Sequence, residues 1–447
     1  MSRVLRGEAM KQLLLCLVWC LPWSLMGAPA ERQDVNFLVI TADDMNWNSV
    51  GCFGSPMEGI TPSLDRLAGQ GMRFAQAHVA STVCMPSRNA INSGRLPHRS
   101  GGEGFHHFRL SDISTIPRTS SRNGYRVGIL EKVSHSTPYP DAPWDLAEEM
   151  GRNTELFYEE AGAFMEDAAK AGRQFYLVVN SHYPHQPYHT HSSEGQELSS
   201  RKGKPAWSHL GPIFHPAEVF VPEFVPDTPE VRGELADYYC SVRRCDYVAG
   251  RLIDLLEVRK IAQNTIVFFL ADHGMSAPSA KGNAYPNSTR TPTIVRWPGK
   301  ITPGTVDTRN FVSTMDIFPT LLDVAGIKFP GGFDGVSLLP AFAGKDLADR
   351  GDVFFTQFYA KNGNGQYNMR TALTHRYAYV FNAFYNGQRL YTTTSLSRSF
   401  FQAIVSLGKA DPAWKALPSF CCTRPEIHLT TGSVWRHHFS QRHAFGR

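Results

Sequence analysis

Short, wholly apolar runs separated by longer stretches with helical spacing set the character of this chain. Val35-Asn36-Phe37-Leu38-Val39-Ile40 reads as a buried strand that ends at Thr41-Ala42-Asp43-Asp44. Gln174 to Asn180 reads the same way, as does Thr265 to Leu270, which ends at Ala271-Asp272-His273-Gly274. Gly124 to Leu130 is a further strand candidate. Between the strands, Thr61 is expected to cap a helix with Pro62 at its first position. Residues 88–93 are expected to start a helix, Thr154 to Ala171 to form one, and residues 228–258 to form a long one capped by Thr228 with Pro229 next. Helices alternating with apolar strands predict a parallel sheet covered on both faces. Residues 183–230 are dense in Pro and Gly and read as a long excursion loop. After about residue 335 the pattern changes, and Gly351–Phe358 and Arg370–Phe384 read as antiparallel strands. The expected fold class is therefore α/β: a large, mostly parallel sheet sandwiched by helices over 31–335, and a smaller α+β domain over 336–447. No internal repeat is present.

The termini and composition narrow this picture. Lys11 precedes the apolar run Leu13 to Met26, and Gly27-Ala28-Pro29-Ala30 closes it with small residues. Residues 1–30 are read as an export signal, with Met10 a better start than Met1. The run is short for a membrane span, so stable membrane insertion is not expected after cleavage, an uncleaved anchor being the alternative. The mature chain is expected to be exported, periplasmic or secreted. Lys+Arg 45 against Asp+Glu 40 gives a mild +5 over 447 residues, with no basic run, so nucleic acid is not implied. Of eight cysteines, Cys16 and Cys20 lie in the signal; setting these and Cys84 aside leaves five, an odd number that implies no complete disulfide framework. Cys240 and Cys245 lie on helix faces that do not favour a bridge.

The chemistry gathers at strand ends. Asp43-Asp44, His182 with His185, and Asp272-His273 all follow predicted strands, and open α/β sheets bind ligands beyond those ends. Adjacent acids repel unless a cation or an arginine holds them. Taken singly, such pairs more often cap helices or fill turns.

The run Cys84-Met85-Pro86-Ser87-Arg88, followed by Ser93-Gly94-Arg95, resembles the signature of type I sulfatases, of the alkaline phosphatase-like superfamily. In that family the cysteine is oxidised to formylglycine. Its hydrate offers one oxygen to attack sulfur and a second to expel sulfate. The resemblance implies a calcium ion held by Asp43, Asp44, Cys84, Asp272 and His273. It implies that Arg88 holds the hydrate, that Lys132 and Lys281 bind sulfate, and that His135 assists the collapse that frees it. His185 is implied as the general acid and His182 as a supporting residue. Three departures stand out: Glu131 where glycine is usual, His273 where many relatives carry asparagine, and a tail from about residue 424 unlike the family's. His106-His107-Phe108, Val221 to Pro229, Asp316 to Leu322 and Asn368 to Thr371 resemble the sulfamidase-like subgroup. The resemblance thus implies release of sulfate from a sulfated saccharide ester or sulfamate, and a formylglycine-generating maturation enzyme as partner. A homodimer remains open. The alternatives are an O-sulfatase on another polysaccharide, a related phosphodiesterase or phosphonate hydrolase, and a non-catalytic carbohydrate-binding relative.

Overall fold

The computed structural model describes residues 34–104, 113–137, 142–188, 214–348, 350–362, 365–383, 399–410 and 426–430. The expected signal over 1–30, His106-His107-Phe108 and the tail beyond residue 430 lie outside these. Eight strands form one sheet: β1 (Asn36–Asp43), β2 (Met72–Phe74), β4 (Arg126–Leu130), β5 (Leu146–Glu148), β6 (Phe175–Pro184), β7 (Thr265–Ala271), β8 (Thr293–Arg296) and β9 (Thr305–Asp307). A separate two-stranded ladder pairs β3 (Ala77–His78) with β10 (Val312–Ser313). The order in the large sheet is β5-β4-β6-β1-β7-β8-β2-β9. All its pairings are parallel except those of β8 with β7 and β2. β1 is central, and its alternate residues feed opposite layers. Leu38, Ile40 and Ala42 join one core cluster, and Phe37 and Val39 the other. That two-sided burial is why the strand reads as a continuous apolar run.

The helices that position the site are α1 (Pro62–Gln70), α2 (Cys84–Ser93), α3 (Val133–Ser136), α4 (Thr154–Lys170) and α5 (Pro229–Val258). Two expectations about them need correction. Thr61 occupies the cap position of α1, but its hydroxyl accepts from Gly51 N and donates to Asp65. The side-chain cap comes instead from Asp246 on α5, which accepts from Ser63 N and Leu64 N. The second correction concerns α2, which begins at Cys84 rather than near residue 88. Val83 is extended, and Pro86 falls in the first turn, where a missing N–H costs little. All residues of α2 are buried, so it is an interior helix. It ends at Gly94, whose φ of 63° is left-handed, and a β-carbon there would meet Phe333 at 2.7 Å. Thr228 does cap α5, accepting from Val231 N, with Pro229 at the first position.

β6 runs past the expected end at Asn180 to Pro184. Its pairing with β1 shifts register between Ala42 and Asp43, which oppose Ser181 and Pro184. The bulge gives His182 and Tyr183 room to leave the ladder. The later strands form a second, antiparallel sheet in the order β11 (Phe354–Asn362), β12 (Gly365–Leu373), β13 (Tyr377–Asn382), β14 (Glu426–Thr430). The run Arg370–Phe384, expected as one strand, divides at a turn where Thr374 Oγ1 accepts from Tyr377 N. Phe354, Phe358, Met369, Leu373 and Val380 of this sheet pack with Val83, Tyr285 and Phe311. The residue before Cys84 is therefore packed in the same apolar cluster as the small sheet. No described helix is long and apolar enough to cross a membrane.

Candidate active site

β1 delivers Asp43 at its end, and Asp44 follows with φ 65°, which turns the next carboxylate back towards the first. β7 delivers Asp272 and His273 beside them, with Asp44 N donating to Asp272 Oδ1 at 3.2 Å. Cys84 enters from the start of α2, at the positive end of a buried helix. Its Sγ lies 3.3 Å from His273 Nε2, 3.6 Å from Asp43 Oδ1 and 3.8 Å from Lys281 Nζ. Ligand-type atoms of Asp43, Cys84, Asp272 and His273 all lie within 4.8 Å of one another, as do those of Asp43, Asp44, Cys84 and His185.

Three buried carboxylates this close must be compensated. Lys132 Nζ sits 2.5 Å from Asp43 Oδ2. Lys281 Nζ donates to both oxygens of Asp44, at 2.6 and 2.8 Å. Arg88, one helical turn after Cys84, donates to Asp272 Oδ2 at 3.0 Å, Thr41 Oγ1 at 2.9 Å and Asn180 Oδ1 at 2.5 Å. Burial works against ionisation of Asp43, but Lys132, His185, Arg88 and Lys281 together hold its carboxyl well below the usual range. The same contest, led by Lys281, lowers Asp44. Asp272 goes the other way, raised by burial and by Asp43. Burial, reinforced by the three carboxylates, pushes the Cys84 thiol well above its ordinary value, against the pull of Lys281. An unmodified Cys84 is thus held as a thiol, and the thiolate is the nucleophile in cysteine chemistry.

The histidines have fixed tautomers, because a carbonyl oxygen only accepts. His273 Nδ1–H donates to Gly274 O at 3.0 Å, which leaves a neutral ring's Nε2 lone pair towards Cys84. His185 Nδ1–H donates to Gln186 O at 2.7 Å, and its Nε2 lies 4.0 Å from Asp44 Oδ2 with the side chain 30% exposed. His182 donates from Nδ1 to Glu131 Oε1 at 3.1 Å and meets the His185 ring edge to face. His135 lies in the single turn α3, which packs on α2. Every other expected site residue belongs to the contact network just described.

Several residues of the site escaped the sequence reading. Asn180 accepts from Arg88 and Thr41 while donating to Glu131 O. Ser87 donates to Asp272 O at 2.7 Å. Glu149 accepts from Lys132 N and Val133 N. Asn180 had a signal, a lone amide closing an apolar strand, and Ser87 had its place inside the cysteine pentapeptide, whereas Glu149 had none. The converging carboxylate oxygens, with a ring nitrogen of His273 beside them, form a donor set that fits a hard divalent cation.

The Sulfatase family profile matches residues 35–327, and that of the N-sulphoglucosamine sulphohydrolase C-terminal region matches 279–397. Human N-sulphoglucosamine sulphohydrolase is 30% identical over 341 residues, covering 70% of this chain and 66% of that protein. The ulvan-active sulfatase of Formosa agariphila is 27% identical over 359 residues, covering 79% and 67%. The chain thus spans about two thirds of the length of these relatives. A protein solved in complex with its substrate, D-glucosamine-2-N,6-O-disulfate, superposes with a TM-score of 0.64 at 18% identity, covering 87% of this chain and 97% of that one. At that identity the likeness speaks for the fold, which is alkaline phosphatase-like. The family profile, covering the carboxylates, the cysteine helix and the cations that surround them, shows that the chain belongs to the sulfatase family.

Proposed function

We propose that this chain hydrolyses sulfuric esters or sulfamates of a sulfated saccharide, releasing inorganic sulfate. The observation that carries this reading is the setting of Cys84: it opens a buried helix, with its Sγ 3.3 Å from His273 Nε2, 3.6 Å from Asp43 Oδ1 and 3.8 Å from Lys281 Nζ. A cysteine so placed calls for conversion, and formylglycine fits the position. Asp43, Asp44, Asp272 and His273, with an oxygen at position 84, would hold calcium. With those groups bound, the site would gain an oxygen nucleophile at position 84 and a Lewis acid for the sulfate oxygens. The chain's own residues do the rest. Arg88, locked by Thr41, Asn180 and Asp272, holds position 84 in orientation. Lys132 and Lys281 stand where sulfate oxygens would enter and exchange carboxylate partners for them. His185, 30% exposed and with Nδ1–H held by Gln186 O, would donate the Nε2 proton of its imidazolium form to the departing sugar oxygen or nitrogen and return to the neutral ring. His135 takes up a proton as sulfate leaves.

The N-sulfated amino-sugar class is favoured by the C-terminal profile and by the human relative named above. Cys84 is 4% exposed, so a maturation enzyme would reach it before α2 docks. The reading further takes residues 31–335 as catalytic, 336–447 as the smaller domain, and the mature protein as exported.

The test joins mass and turnover. The Cys84 peptide is weighed by mass spectrometry, and free sulfate is measured from N-sulfoglucosamine oligosaccharides, an aryl sulfate and a phosphodiester side by side. The expected result is a peptide lighter by exchange of the thiol and one hydrogen for an oxygen, with sulfate release from the sulfamate. A converted peptide that cleaves only the phosphodiester, or an unconverted one without turnover, would overturn the proposal.

A further inference from the structure

Two consecutive non-glycine residues after β4 adopt left-handed backbone, Glu131 at φ 62° and Lys132 at φ 54°. A β-carbon is crowded there, which is why glycine ordinarily takes such positions. Here the first of the pair is a buried carboxylate, and each of its polar atoms is tied. Glu131 N donates to Glu148 O at 2.7 Å, and Glu131 O accepts from Asn180 Nδ2 at 2.8 Å. Its side chain accepts from Gly151 N at 2.6 Å on Oε2 and from His182 Nδ1 at 3.1 Å on Oε1. The next two amides, of Lys132 and Val133, are both taken by Glu149 at 3.0 Å. The turn so fixed projects Lys132 onto Asp43. Asn180 closes the arrangement, since the amide that holds Glu131 O also accepts from Arg88.

We propose that Glu131 is a positioning residue: its carboxylate ties the strained turn to His182 and Gly151 and so aims Lys132 at the anion site. Glycine would relax the backbone but release both ties. Glu131 costs strain yet makes these links, and they fix where the chain sends the next residue. The functional half of this inference rests on the reading of Lys132 as a sulfate-binding residue; the geometric half does not.

The test compares wild type, Glu131→Gly and Glu131→Gln. Folded protein is acetylated with an amine reagent, and labelling of Lys132 is followed by mass spectrometry. Lys281 is the internal control, because the two side chains are similarly hidden, at 8% and 10% exposed. In Glu131→Gly, Lys132 should label about tenfold faster with Lys281 unchanged, and KM for an aryl sulfate should rise about tenfold to a hundredfold with a smaller change in kcat. Glu131→Gln, which keeps the shape and the bond from Gly151, should lie between. Equal protection of Lys132 in wild type and Glu131→Gly overturns the proposal. If wild type shows no turnover, the sulfatase reading fails while the footprint still decides the positioning claim. If Lys281 also becomes reactive in Glu131→Gly, the footprint of Glu131→Gln decides, and exposure of both lysines there overturns the local role.

Discussion

Lys281→Met should separate two properties that are usually lost together: calcium should bind more tightly while turnover falls. Lys281 Nζ covers both oxygens of Asp44, so a cation that uses Asp44 must displace it. Unit charges about 4 Å apart interact by about 4 kcal/mol at an effective dielectric near 20, and a divalent ion doubles this. The lysine can swing away when the ion enters, so only part of that repulsion is realised. Taking about 1.5 to 3 kcal/mol, the dissociation constant should fall roughly tenfold to a hundredfold. The metal-free variant should also unfold more easily, by about 3 kcal/mol, because Asp44 is left buried without its cation, and calcium should restore it. Chelator-stripped protein titrated with calcium in a calorimeter gives the affinity, denaturant melts with and without calcium give the stability, and an aryl sulfate gives the turnover. Calcium affinity that is unchanged or weaker in Lys281→Met would refute the reasoning, for it would mean Asp44 is not the contested ligand.

His185→Gln should cost about a hundredfold to ten-thousandfold in kcat on an unactivated saccharide substrate but far less on an aryl sulfate, whose leaving group needs no proton; equal losses on both would remove His185 from the acid role. Asp246 offers a pH test remote from the catalytic cluster. Burial pushes its carboxyl up to about 6, against the Leu64 and Ser63 amides and Arg243 that favour the charged form. Its folded value therefore lies above the ordinary 3.8, and the unfolded chain releases the proton first. The stability this contributes is complete below the ordinary value and is lost as pH rises towards 6, an effect of up to about 3 kcal/mol. Urea melts across that window should show the slope in wild type and a flatter profile in Asp246→Asn; identical slopes would place the titration elsewhere.

What could be read from the chain was whatever is local. An apolar run that stops at Asp43 or at Asp272 announces both a strand and its polar end, because a doubly buried strand tolerates no polar face. The cysteine pentapeptide is local in the same sense: Cys84 and Arg88 sit one helical turn apart, so their shared face follows once the helix is granted. Errors fell where a distant residue took over a local role. Thr61 does hold the cap position of α1, yet the side chain that accepts from the first amides is Asp246 from α5, and nothing near residue 61 signals it. β6 was expected to stop at Asn180, and pairing with β1 carries it on to Pro184.

Glu131 shows the same division at the site itself. In the sequence it is a departure from a glycine pattern, next to Lys132. In the fold the turn is kept, φ 62° included, because atoms from Glu148, Gly151, Asn180 and His182 hold it. Those partners come from two neighbouring strand ends and the loop after one of them, and they meet only once β5 and β6 have docked on either side of β4. A local rule, that left-handed backbone prefers glycine, is thus overridden by several hydrogen bonds of about 1 kcal/mol each, enough together to outweigh a left-handed residue's cost of about 1 to 2 kcal/mol. It follows that a motif departure is weak evidence against a site when the substituted side chain can find buried partners. The decisive question is where its polar atoms go.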